Sequence, residues 1–137
     1  MYWEDLLLDH QLTSTELTEW LLTTFSVPEH AVVVASEESQ APVSEETQIL
    51  CEFSTIKGEF PLHVAVFTRR EELDAIDSES AIVELCRRFG LRALTSDDTP
   101  NPYRMILTGP NGHRSAVHLD VDALDDDDRY VIAYVEE

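Results

Sequence analysis

At 137 residues and 43% apolar content, the chain is sized for a single domain, 1–137, with one ordinary hydrophobic core. Twenty-eight acidic residues against nine basic ones leave a net charge of −19. Such a surface repels phosphate backbones and anionic bilayers, so neither nucleic acid nor a membrane is an expected partner. A basic protein is the expected one.

Residues 1–12 read as a short helical N-terminal arm, either packed on the core or exposed as a contact, because Tyr2, Trp3, Leu6, Leu7 and Leu8 are unusually apolar for a chain terminus. The first helix spans Thr13 to Val27. Thr13 and Glu16 have capping-box spacing, and Leu17, Trp20, Leu21 and Phe25 fall on one face. Pro28 ends it. Val32-Val33-Val34 marks a strand over His30 to Ser36. Residues 37–46 are polar, contain Pro42 and read as a flexible loop.

Thr47 to Ile56 and Phe60 to Thr68 form a hairpin turning at Lys57-Gly58. Leu62, Val64 and Val66 share one face of the second strand, while His63, Ala65 and Phe67 share the other, as in a central strand. A second helix runs from Ser78 to Phe89, with Ile82, Leu85, Cys86 and Phe89 as its stripe and Gly90 beyond its end. Strands at Leu91 to Thr95, Tyr103 to Thr108, His113 to Asp122 and Tyr130 to Val135 complete the chain. The order α-β-β-β-α-β-β-β-β predicts an α+β domain. Its sheet is mostly antiparallel, with six to seven strands and two helices packed on one face.

The acidity is uneven. Residues 1–58 hold eleven acids against Lys57 alone, and residues 96–137 hold ten against three arginines. The densest run is Asp120, Asp122, Asp125, Asp126, Asp127 and Asp128. A calcium loop starting at Asp120 needs Gly in sixth place and Glu in twelfth, but Asp125 and Val131 stand there. The run therefore reads as a strand ending in an acidic turn, with no metal expected.

Histidines 10, 30, 63, 113 and 118 lack metal-ligand spacing, and His118 shares only a strand face with Asp120. The glycines at 58, 90, 109 and 112 fit turns and a helix end rather than a phosphate loop. Cys51 and Cys86 fall on apolar faces and read as buried, reduced thiols. No cofactor is expected. The start Met1-Tyr2-Trp3-Glu4-Asp5 lacks the chemistry of a signal peptide, which makes the cytoplasm the expected location.

These features point to a non-enzymatic protein-binding protein of the immunity or inhibitor type, neutralising a basic partner such as a toxin. Asp120, Asp122 and Asp125 to Asp128 would supply the contacts, with Glu37, Glu38, Glu45 and Glu46 as further acids and Tyr103 and Trp3 as aromatic anchors. The run of helix, three strands, helix and strands over residues 13–108 resembles the topology of type III secretion chaperones, which are also small and acidic. That resemblance lies in element order and composition. It implies a dimeric binding module for a secreted protein, although this chain ends in strands where that family places a helix.

Overall fold

The computed structural model describes residues 2–39 and 43–136. The chain forms β1 (Tyr2–Leu8), α1 (Ser14–Phe25), β2 (Val32–Ser36), β3 (Ile49–Thr55), β4 (Leu62–Thr68), α2 (Glu71–Asp74) and α3 (Ser78–Phe89). It continues through β5 (Ala93–Ser96), β6 (Arg104–Thr108), β7 (Arg114–Leu119), α4 (Val121–Asp127) and β8 (Ile132–Val135). All eight strands join one sheet in the order β2-β3-β4-β1-β5-β6-β7-β8. The β2–β3 pair is parallel and every other pair is antiparallel. The α+β class, the hairpin at β3–β4 and the interior position of β4 follow the sequence reading.

The N-terminal stretch corrects that reading. Tyr2–Leu8 is no arm but an internal strand, antiparallel to both β4 and β5. Leu6 and Leu8 are fully buried on one side and Leu7 is buried on the other. An apolar run with both faces covered is what an internal strand needs. The 37–46 loop includes residues 40–42, which lie outside the described residues. On either side, 37–39 and 43–46 are exposed and belong to no strand or helix.

The two faces of the sheet carry separate cores. Helices α1 and α3 cover the first face, where Leu17, Trp20, Leu21, Ile82 and Leu85 meet Leu6, Leu8, Ile49, Cys51, Leu62, Val64 and Val66. Each large side chain buried there contributes about 1.5–3 kcal/mol. Trp20 is fully enclosed and its indole N–H donates to the Ala81 carbonyl at 3.0 Å, tying α1 to α3. Both helices begin as their sequences dictate: Thr13 and Glu16 form a reciprocal capping box, and the Asp77 carboxylate accepts from the Glu79 amide.

The second core was not anticipated. Leu7, Phe60, Leu94, Val117 and Leu119 form it, with Met105, Leu107, Leu124, Tyr130 and Ile132 packed around them. The β3–β4 turn reaches over this face, since Gly58 bridges to Tyr130 and the Glu59 carboxylate accepts from the Ile132 amide at 3.1 Å. Gly58 sits at φ 106° with Arg129 close by, a position that only glycine fills without strain.

Candidate functional site

The acidic run is a helix, not the end of a strand. Strand β7 stops at Leu119, and the Asp120 carboxylate caps the next helix by accepting from the Ala123 amide at 2.9 Å. Aspartate at an N-cap satisfies an orphan donor and favours the positive end of the helix dipole. Ala123 is buried and Leu124 packs on the second core, which pins α4 to the sheet. Asp122, Asp125, Asp126, Asp127 and Asp128 are consequently turned to solvent. The last turn holds no basic residue, and Asp128 closes the helix with φ 53°. Carboxylates three and four positions apart repel each other, and those near a helix C-terminus face the wrong end of its dipole.

Two of these aspartates have partners. Asp127 meets Arg129 at 3.2 Å, and Asp125 accepts the Tyr103 hydroxyl, 3.0 Å from each carboxylate oxygen. Tyr103 thus ties the start of β6 to α4, and that bond raises its own pKa. Trp3 does not join them. It lies on the helix-covered face, its ring 4.8 Å from that of Phe25 and its N–H donating to the Ile76 carbonyl at 3.2 Å. The expected aromatic anchor is partly buried against the first core, beside an irregularity in the β1–β4 register between Tyr2 and Glu4.

His118 does not pair with Asp120 either. Its Nε2 lies 2.6 Å from Glu136, its ring stacks on Tyr134 at 4.5 Å, and Arg104 bridges Glu136 and Asp97 at 2.6 and 2.5 Å. This cluster fastens β8 to β6 and β7. Among the described residues no three His, Cys, Asp or Glu side chains are arranged to hold a metal ion, and no helix is long and apolar enough to cross a membrane.

The second face also carries a cleft of about 130 Å³ that the sequence did not indicate. Tyr2, Asp5, Leu7, His63, Ser96, Met105 and Tyr130 line it. Asp5 stands opposite Ala65 in the β1–β4 register and His63 opposite Leu7. Their side chains meet diagonally on one face, with the imidazole Nε2 hydrogen-bonded to Asp5 Oδ1.

The surrounding field is negative. The Asp5 bond holds the His63 pKa above its usual value, with Glu37 adding to the effect. Tyr2 is pushed up to about 12 by burial and by Asp5, Glu4 and Asp98. Burial, Asp5 and Asp128 raise Tyr130. Every charge acting on these three groups is a carboxylate. A larger, shallow groove of about 570 Å³ runs between α1 and the edge strand β2, lined by Ser14, Thr18, Leu22, Glu29 and Val32 to Val34 among others.

Compared with known protein families, with curated proteins and with solved structures, the chain matches none.

Proposed function

We propose that the protein acts by binding: it engages a basic protein through the acidic second face of its sheet, as an immunity or inhibitor protein does when it occludes a cationic site. One observation carries this reading. Tyr130 follows Asp128 at the end of α4 and lines the cleft that holds Asp5, so the exposed aspartates of the helix and the cleft carboxylate lie on one face of the sheet. The field of such a face steers a cationic protein into encounter and weakens with salt. The arrangement on α4 also works against the helix that carries it. Keeping it there is readily understood if those carboxylates serve a partner.

The test is the association of the intact chain with a ten-residue lysine peptide, followed at low and high salt. Binding should weaken steeply as salt rises and should slow when Asp122, Asp126 and Asp128 are changed to Asn together. Association indifferent to both changes defeats the proposal.

The α1–β2 groove favours a second reading, a binding module for an extended segment of a secreted protein. Strand β2 is an edge strand of unbroken Val-Val-Val-Ala-Ser without the charge or proline that usually blunts such edges. A segment held there would protect the Val34 amide from hydrogen exchange, with little dependence on salt.

A further inference from the structure

We propose that the cleft beside Asp5 is a socket for one lysine side chain of the partner, its ammonium seated on the carboxylate oxygen that His63 leaves open. This rests on the reading of a basic protein partner and names the group that partner would insert.

Size and lining select the ligand. A space of about 130 Å³ admits the end of one unbranched side chain rather than a peptide. Its apolar part, Leu7 and Met105, suits a methylene stem. Two tyrosine rings, Tyr2 and Tyr130, stand in its wall and favour a cation. Asp5 supplies the counter-charge, and its side chain remains 46% exposed, within reach of an incoming group.

The space rather than the carboxylate selects between cations. His63 Nε2 takes one acceptor site of Asp5 Oδ1 and leaves Oδ2 open. The same pairing at Glu136 still admits a forked guanidinium, since Arg104 reaches both of its oxygens while His118 is bonded to Oε2. An ammonium on a slim stem is the smaller group for a cleft of about 130 Å³, and it needs only one oxygen.

His63 also makes the socket sensitive to pH. With the imidazole protonated, Asp5 is already neutralised and an arriving ammonium meets a second cation on the same carboxylate. Binding therefore favours the neutral ring, which keeps its Nε2–H bond to Oδ1 and releases the Nδ1 proton to water. The other titratable and charged groups in play are Tyr2 and Glu4 on β1, Glu52 on β3 opposite Ala65, Asp98 after β5, Asp128 and Tyr130 after α4, and Glu37 after β2. All are acidic groups, and the neighbouring cation Arg129 is paired with Asp127.

The experiment titrates the intact, isotope-labelled chain with Nα-acetyl-lysine methylamide, using the norleucine and arginine analogues as controls. The lysine compound should shift the Tyr2, His63 and Tyr130 resonances saturably. The norleucine compound should not, and the arginine compound should bind about fivefold or more weakly. Below the His63 titration, affinity should rise about tenfold per pH unit and then level off. His63→Gln should retain binding and lose the pH dependence, and Asp5→Asn should abolish binding.

Equal binding of norleucine or arginine, or an unaltered Asp5→Asn response, overturns the socket. So do lysine-induced shifts confined to Asp122 to Asp128, a result that leaves the acidic-face reading intact. If Asp5→Asn does not fold, the norleucine control and His63→Gln decide. Conversely, a lysine-filled cleft combined with decalysine association indifferent to the α4 substitutions sinks the role of α4 and keeps the socket.

Discussion

Asp5 and His63 sit diagonally across the β1–β4 pair and share a hydrogen bond on the sheet face that α1 and α3 leave uncovered. The bond holds the imidazole pKa above its ordinary value of about 6.5. A proton bound more tightly in the folded chain stabilises the fold, fully so below the ordinary His value. That contribution disappears as pH rises through the folded-state pKa. Thermal melts of wild type and His63→Gln should therefore differ most in mild acid and converge at alkaline pH. A gap independent of pH would show that the pair contributes no proton-linked stability.

Asp9 makes the opposite prediction at the other end of β1. Burial works against its charge. The Arg92 backbone amide at 2.8 Å, the Arg92 guanidinium at 2.9 Å and His10 more than offset that effect, and the carboxyl pKa lies below its usual value. Stability from such a group is present above the ordinary Asp pKa of about 4 and lost as pH falls through the depressed one. Asp9→Asn should cost about 2 kcal/mol near neutrality, because it removes a charged acceptor joining β1 to β5. Urea unfolding should show this cost shrinking in strong acid.

The two cysteines should be chemically silent in the folded protein. Both are fully buried on the first face, and burial raises each thiol to about 12. Little thiolate forms at neutral pH, and reagents cannot reach it. Iodoacetamide labelling followed by mass spectrometry should leave Cys51 and Cys86 unmodified under native conditions and alkylate both in denaturant. Rapid native labelling of either would contradict the packing of Cys51 under α1 and α3 or of Cys86 against the Thr108 carbonyl.

The legible parts of the fold were those written in local signals. Thr13 with Glu16, the stripe from Ile82 to Phe89, Gly90 and the turn at Lys57-Gly58 each carry their own instruction, and the elements lie where these place them. Strand β1 was not legible. Its identity depends on β4 and β5, whose paired residues lie 54 to 87 positions away in sequence, and Glu4 and Asp5 disguise the apolar alternation. The cleft inherits that difficulty, because nothing joins Asp5 to His63 until β1 is paired with β4. For the aspartates, Asp120 could have been recognised as a cap from its place before Val121-Asp122-Ala123-Leu124. The preceding strand pattern through Val117, Leu119 and Val121 competed with that signal, and tertiary packing of Ala123 and Leu124 decided for the helix.

Helix α4 permits a prediction in which stability and binding move in opposite directions. Asp126 lies in its last turn, four residues after Asp122, and faces solvent. Asp126→Lys replaces a like-charge pair by an acid-to-base pair in the favourable orientation and sets a cation at the negative end of the dipole. Each change is worth about 0.5 kcal/mol on an exposed surface, so the melting temperature should rise by a few degrees. If the carboxylates are kept for a basic partner, the same substitution should slow association with the lysine peptide at low salt and matter less at high salt. A variant that is more stable and binds as fast as wild type would mean that the charge of α4 serves solubility alone. One that is less stable would mean that Asp126 has a partner the helix geometry does not reveal.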